Sequence, residues 1–63
     1  MGKPPSNVPE RGERCCLRGR VHVTGTLKTY DPDSDWATVE WDEGMVAPKL
    51  VHRFELMRCV NSN

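Results

Sequence analysis

A chain of 63 residues with a hydrophobic fraction of 37% forms at most one small domain, and such domains bury only about 60% of the surface that the unfolded chain exposes. We therefore expect no large catalytic cleft and predict that the protein is not an enzyme. Nine basic and nine acidic residues give zero net charge. The total charge therefore does not indicate a class of partner, as it would in a strongly basic or strongly acidic protein.

The charges are unevenly distributed along the chain. Residues 1–28 carry six Lys or Arg and two Glu, whereas residues 31–43 carry six acidic residues and no basic one. The segment after residue 48 is basic again. One interpretation is that the acidic middle pairs with the basic flanks across a sheet, and the other is that it receives a cationic partner.

The N-terminal stretch has little to bury, since residues 1–12 contain three of the five prolines and one large apolar residue, Val8. We predict a disordered Pro-rich tail over residues 1–12, a folded domain over residues 13–60 and a flexible C-terminus over residues 61–63. We expect neither a signal peptide nor a membrane span. Three cysteines without paired spacing favour a reducing, intracellular location, nuclear or cytoplasmic.

The periodicity after the tail is that of β-strands. A first strand is predicted near residues 14–17. In the run RVHVTGTLKTYD, Val21, Val23 and Leu27 occupy alternate positions, which places them on one face of a second strand. Gly25 lies at a core-facing position in this run and predicts a bend or bulge.

The stretch DPDSD then breaks the alternation with a proline and three aspartates, which are turn-forming residues. A third strand, WATVEW, follows, and Trp36 lies on its outer face. The core-facing positions of this strand are Ala37, Val39 and Trp41. Asp42 is expected to cap the next turn, where Gly44 supplies a positive φ angle.

The pattern after Pro48 fits two structures. Leu50 and Phe54 have helical spacing, whereas Leu50, His52 and Phe54 alternate as in a strand. A helix over residues 49–57 is the alternative to the elements that we prefer. The preferred elements are a strand over residues 49–53, one helical turn over residues 54–57 and a closing strand over residues 58–60.

The run GTLKTYDPDSDWATVEWDEG (residues 25–44), followed by an alternating strand and FEL (residues 54–56), resembles the Tudor and Mind-bomb-type barrels. In those families a glycine-containing strand leads through a variable loop to a V-x-W/F-x-D-G hairpin and then to a one-turn helix. The resemblance covers residues 15–60 and implies an all-β fold, a small five-stranded SH3-like (Tudor-like) barrel with a short one-turn helix near the C-terminus. The stretch MVAP after the hairpin glycine departs from the family pattern.

The resemblance implies an aromatic site for a methylated lysine or arginine, because each ring face attracts such a cation by about 0.5–2 kcal/mol. The candidate ligand-binding residues are Tyr30, Asp31, Asp33, Asp35 and Trp36. Trp41 is expected in the core, and Phe54 is expected to anchor the helical turn beneath the barrel, which leaves two rings for such a site. In the alternative interpretation, Trp36 pairs with Tyr30 across the strands and only stabilises the hairpin.

A second candidate function is the binding of a nucleic-acid backbone, for which the candidate residues are Arg14, Arg18, Arg20 and Lys28. The neutral net charge and the acidic centre argue against it. We predict no metal site, because adjacent cysteines on a strand point to opposite faces and DPDSDW has a tryptophan where a calcium loop has glycine. No catalytic arrangement is recognisable, and no cofactor is expected.

The sequence thus predicts a non-enzymatic interaction module that binds a peptide or protein partner, and a basic or methylated Lys/Arg tail is the specific hypothesis. The resemblance implies that the module belongs to a larger chromatin- or ubiquitin-ligase-associated protein. Nucleic acid is the alternative partner, and no membrane partner is expected.

Overall fold

The computed structural model describes residues 7–59 of the chain. Its elements are β1 (Arg14–Leu17), β2 (Arg20–Tyr30), β3 (Trp36–Trp41), β4 (Leu50–His52), the 3-10 turn η1 (Arg53–Glu55) and β5 (Leu56–Arg58). The five strands form one antiparallel sheet in the order β4-β3-β2-β1-β5. Over residues 7–59, no helix is long and apolar enough to cross a membrane.

The all-β fold and the five strands are confirmed, and the alternative helix over residues 49–57 is wrong. This segment is not helical because its backbone pairs with β3, with Val51 opposite Ala37 and His52 opposite Trp36. The closing strand begins at Leu56, two positions before the predicted residue 58. Residue 60, the predicted end of that strand, lies outside the described residues.

Alternate residues of β2 and β3 line the core as predicted, with Val23, Leu27 and Val39 all buried. The main cluster of buried residues takes members from all five strands, namely Cys15, Leu27, Ala37, Val39, Val51 and Leu56. Trp41 packs against this cluster, as expected. The alternating pattern therefore identifies the core face of both central strands.

Val21 is an exception, because its side chain is 59% exposed and its predicted place in the core is wrong. The last residue of β3, Trp41, pairs with Gly25, so β3 ends before it reaches Val21. The pairing of β2 with β1 is also irregular at this end, where the register shifts between Cys16 and Leu17. Val21 therefore lies at a core-facing position of the alternation, but no strand within residues 7–59 covers its side chain.

In the pairing of β2 with β3, the bulge lies at Lys28 and not at Gly25. Leu27 pairs with Val39 and Thr29 pairs with Thr38, so Lys28 is the extra residue of a β-bulge. Gly25 has a different role, since a Cβ atom there would lie 2.7 Å from the carbonyl oxygen of Glu40. Glycine thus permits the close approach of β2 and β3.

Because of the bulge at Lys28, the last residues of β2 lie on the face of the sheet opposite to the one that strict alternation predicts. Tyr30 pairs with Ala37, and directly paired residues share a face of a sheet. Tyr30 is accordingly half-buried and packs against the core cluster. Trp36, the neighbour of Ala37 in β3, lies on the opposite face.

The two edge strands of the sheet are joined by η1 alone, and this short connection requires a curved sheet. In a flat sheet of five strands, four steps of about 4.8 Å would separate β4 from β5 by about 19 Å. The chain from His52 to Leu56 spans at most about 14 Å when fully extended, and a 3-10 turn is shorter. The sheet must therefore bend so that its edges approach each other at this end.

Residues 7–12, which the sequence assigns to the tail, lie against the sheet. Pro9 is fully buried, and the carbonyl oxygen of Asn7 accepts a hydrogen bond from the Arg58 amide at 2.7 Å. Gly12 donates to the Leu27 carbonyl at 2.7 Å, which extends the pairing of β1 with β2. Residues 1–6 and 61–63 of the predicted tails lie outside the described residues.

Candidate functional site

Three aromatic side chains form a continuous row that begins on the outer face of the sheet and ends at η1. The rings of Trp36 and His52 meet edge to face, with centroids 5.7 Å apart and an interplanar angle of 75°. The rings of His52 and Phe54 meet in the same way, at 5.0 Å and 69°. We call Trp36, His52 and Phe54 the aromatic row. Trp36 is 47% exposed, so one end of the row is open to solvent.

Strand pairing and a local cap build this row. His52 lies directly opposite Trp36 because β4 pairs with β3. Nδ1 of His52 accepts a hydrogen bond from the Phe54 amide at 3.2 Å, which caps η1 and keeps Phe54 next to His52. Phe54 lies in the predicted turn, but its side chain is only half-buried and η1 has no buried residue.

Leu50 continues the exposed apolar surface along β4, and its side chain is 58% exposed. It pairs with Thr38 and therefore lies on the same face as Trp36 and His52. The alternation of Leu50, His52 and Phe54 was the sequence signal for this surface. That signal did not reveal which of the two faces these residues occupy.

The outer edge of β4 has backbone groups that point away from the sheet. The Val39 amide donates to the Lys49 carbonyl at 2.9 Å, and the Arg53 amide donates to the Asp35 carbonyl at 2.7 Å. Because bonded pairs alternate in an antiparallel ladder, the peptide groups of Leu50 and His52 face outward. The His52 carbonyl is at the start of η1 and accepts the first hydrogen bond of this 3-10 turn. Over residues 7–59, the open backbone groups of β4 are therefore the amide and carbonyl of Leu50 and the amide of His52.

The acidic turn between β2 and β3, which we call the acidic loop (residues 31–35), ends directly at Trp36. The Asp33 amide donates to Oδ1 of Asp31 at 2.9 Å, and Asp35 adopts a left-handed φ of 63°, as in the predicted turn. Asp31 and Asp33 are exposed, and neither forms an ion pair with any described residue. The loop thus offers negative charge beside the exposed end of the aromatic row.

The structure reverses the expected orientation of Tyr30, which lies on the core face. Guanidinium groups of the chain itself already contact its ring, because the Cζ atoms of Arg11 and Arg53 lie 4.2 and 4.0 Å from the ring centroid. The Tyr30 hydroxyl donates to Oε1 of Glu10 at 3.0 Å. Tyr30 and Trp36 therefore lie on opposite faces and do not form one cage or a cross-strand pair.

Arg53 is the centre of this second cluster, and its side chain is only 15% exposed. It donates to the Pro9 carbonyl at 3.1 Å and to Oε2 of Glu10 at 2.6 Å, and it lies 3.6 Å from Oδ1 of Asp35. Of the predicted ligand-binding residues, Tyr30 and Asp35 thus meet at Arg53. Asp31, Asp33 and Trp36 remain on the exposed side.

The basic residues proposed for nucleic-acid binding are mostly engaged within the protein. Arg14 makes two hydrogen bonds to the Asp42 carboxylate, at 2.8 and 2.5 Å, and Lys28 lies 3.4 Å from Glu40. Arg18 donates to the carbonyl oxygens of Phe54 and Leu56. Arg20 is exposed, with no ion pair in the described part of the chain.

Asp42 does more than cap the turn. Its carbonyl oxygen accepts a hydrogen bond from Met45 at 3.0 Å, and Gly44 has the expected positive φ of 88°. Its carboxylate also accepts a hydrogen bond from the Thr24 hydroxyl at 2.6 Å. The hydrogen bonds from Arg14 and Thr24 lower the pKa of Asp42 to about 2.

The cysteines lie at the junction of β1 with β5. Cys15 and Cys16 are both buried, and Cys59 is half-buried. Burial raises the pKa of the Cys15 thiol to about 11 and also raises that of Cys16. Over residues 7–59, no three His, Cys, Asp or Glu side chains are arranged to hold a metal ion, and no pocket is enclosed.

Comparisons with protein-family models, curated proteins and solved structures found no match to this chain.

Proposed function

We propose that the protein is a non-enzymatic interaction module that binds a basic peptide segment of a partner protein. The segment lies across the aromatic row, and its charged side chain reaches the acidic loop. The observation that supports this most directly is the exposed indole of Trp36 at the end of a loop whose Asp31 and Asp33 carboxylates have no ion pair among the described residues. The ligand binds on a surface, since these residues enclose no pocket.

The chemistry of this surface favours a Lys or Arg side chain, free or methylated. A cation over an exposed indole gains about 0.5–1 kcal/mol, and each exposed ion pair adds about 0–1 kcal/mol. Burial of part of Leu50 supplies an apolar contribution of the same order. These contributions sum to at most about 4 kcal/mol, which corresponds to weak binding with a Kd of roughly 1 mM or higher.

The position of the site differs from the cage implied by the resemblance. Arg11 and Arg53 lie against the ring of Tyr30, so that Trp36 is the ring available to a ligand. His52 and Phe54 replace Tyr30 as the neighbouring aromatic groups. The proposed site is therefore an open row of rings, which permits methylated cations without requiring them.

We further propose that the curved sheet is a small Tudor-like barrel within a larger chromatin- or ubiquitin-ligase-associated protein. The strand order β4-β3-β2-β1-β5 and the three-residue connection between the edge strands support the barrel. The resemblance of residues 25–44 and 54–56 supports the wider assignment.

An amide correlation spectrum of the 15N-labelled chain, titrated with lysine-rich peptides, tests the proposal. Peptides with and without trimethylated side chains are expected to shift the Trp36 indole signal and the amide signals of Leu50 and His52. Asp33→Lys is expected to weaken the response, whereas Glu43→Lys makes the same charge change at an exposed position in another turn and preserves it.

Two results would reject the proposal. In the first, no basic peptide shifts these signals in the wild-type chain. In the second, only an oligonucleotide binds, with an affinity that falls steeply with salt and depends on Arg20.

A further inference from the structure

We infer that the partner segment binds as an added β-strand on the open edge of β4, an inference that rests on the proposed function and specifies its binding mode. The outward-facing amide and carbonyl of Leu50 and the outward-facing amide of His52 supply the backbone hydrogen bonds. The exposed side chains next to them select the ligand. Such strand addition combines main-chain affinity with side-chain specificity.

The two edges of the sheet differ in a way that supports this assignment. At β5, the outward-facing amide of Arg58 donates a hydrogen bond to the Asn7 carbonyl at 2.7 Å, so the N-terminal segment covers part of that edge. At β4, the amide and carbonyl of Leu50 and the amide of His52 face outward, and no loop or turn group between residues 7 and 59 bonds to them. Within residues 7–59, the chain therefore covers part of the β5 edge and leaves the β4 edge more open.

The residues of β4 do not repel an added strand. Proteins commonly protect an exposed edge with a very short strand, a charge, a proline or a bulge. β4 is short, but its sequence, Leu-Val-His, contains no lysine, proline or bulge. Its three residues limit the added strand to a short segment. This limit agrees with the weak binding expected of the site.

The charges beside β4 identify the occupant as an extended basic peptide. Because Trp36 pairs with His52, the acidic loop lies at the His52 end of β4, and Lys49 lies at the other end. A basic residue of the added strand is attracted to the loop and repelled by Lys49. A second copy of the chain would pair only three residues of each β4 strand, which gives far less than the area of a stable interface.

The test measures amide hydrogen exchange of the chain with a blocked seven-residue peptide of alternating lysine and valine. When the free peptide is about nine times its Kd, mass action predicts exchange about tenfold slower at Leu50 and His52. The amide of Val51, within the existing ladder to Ala37, serves as the internal control and changes little.

Two isomeric peptides provide the matched control, because N-methyl groups on alternate amides block only one edge of an added strand. The isomer whose methylated amides face β4 is expected to lose binding, and the isomer whose methylated amides face away from β4 is expected to keep it. Equal binding of both isomers would overturn strand addition, as would a Trp36 shift without protection at Leu50 and His52, and either result leaves the proposed function intact.

Two further outcomes also count against the inference. If no basic peptide binds, the proposed function fails together with it. If protection of Leu50 and His52 depends on protein concentration without peptide, a second copy of the chain occupies the edge instead.

Discussion

The guanidinium carbon of Arg53 lies 4.0 Å from the centroid of the Tyr30 ring, and this pair fastens the N-terminal segment to the sheet. The Arg53 side chain donates to the Pro9 carbonyl and to Glu10, while Tyr30 donates to the same carboxylate. Residues 9–10, the end of β2 and the start of η1 are therefore joined through one cation. Docking of the segment and stability of the sheet should be coupled.

Arg53→Ala is expected to lower the free energy of unfolding by about 2–3 kcal/mol, because it removes hydrogen bonds to a charged group and leaves part-buried acceptors without a donor. Arg53→Lys should recover only part of this loss, since an ammonium group cannot reproduce the planar fork. Urea denaturation followed by Trp fluorescence measures both changes.

Arg20→Ala is the matched control for this prediction, because Arg20 is exposed and has no ion pair within residues 7–59. Its effect should stay within about 0.5 kcal/mol. Equal stability of the two alanine variants would show that the Arg53 cluster does not hold the segment in place.

The sequence predicted the strands because alternation has a period of two, which a buried face imposes on β2 and β3. It did not predict the bulge at Lys28, since a bulge is set by the pairing between strands and leaves no clear local signal. That single extra residue turned Tyr30 to the core face. It thereby separated Tyr30 from Trp36 and divided the predicted site.

The sequence predicted the exposed position of Trp36 but not its neighbours. His52 and Phe54 join it only through the register of β4 with β3 and the cap on η1. The docking of Pro9 was also not predictable from composition, because its carbonyl oxygen accepts a hydrogen bond from the side chain of Arg53, which lies 44 positions away in the sequence. Local composition describes what a segment can bury by itself and contains no information about such distant partners.

Gly25→Ala tests the close approach of β2 and β3. The added Cβ atom would lie 2.7 Å from the Glu40 carbonyl oxygen and 2.8 Å from Cα of Trp41, and these are backbone atoms that cannot rotate away. We expect a loss of about 1–3 kcal/mol in the free energy of unfolding, measured by urea denaturation.

Gly19→Ala is the control for the same chemical change. A Cβ atom there meets nothing within 4 Å, and Gly19 does not have a left-handed φ. This variant should be neutral or stabilised by up to about 1 kcal/mol through the unfolded state. If the two alanine variants lose equal stability, the contact with Glu40 is not what requires glycine.

Thiol labelling should distinguish the three cysteines of the folded protein. Cys59 is half-buried and should react first with a small disulfide reagent at pH 8. Cys15 and Cys16 are buried, and burial raises the pKa of both thiols, so they should react only on unfolding because the thiolate is the reactive form. Mass spectrometry of timed samples identifies the labelled residue. Cys59→Ser should abolish the fast phase, and rapid labelling of Cys15 would contradict its burial.

The Arg14–Asp42 pair should make stability depend on pH in the acid range. Hydrogen bonds from Arg14 and Thr24 lower the pKa of Asp42 from an ordinary 3.8 to about 2 in the folded protein. As the pH falls below about 4, the unfolded chain therefore takes up this proton before the folded chain does, and the stabilisation disappears by about pH 2. The pKa of Glu13 is also lowered, through the hydrogen bond from the Glu10 amide and then through Arg58, and it contributes to the same loss.

Asp42→Asn should lower the thermal midpoint at pH 6, where the wild-type carboxylate is ionised in both states. The difference between the variant and the wild type should shrink as the pH approaches 2, because protonation then removes the same interaction from the wild type. Glu43→Gln removes an exposed carboxylate that has no ion pair among the described residues, and it should retain the wild-type pH dependence. Thermal unfolding by circular dichroism at pH 6, 4 and 2 makes the comparison. A constant difference between Asp42→Asn and the wild type across this range would mean that the effect of the substitution is steric, and that the Asp42 carboxylate is not held in its charged form by Arg14 and Thr24.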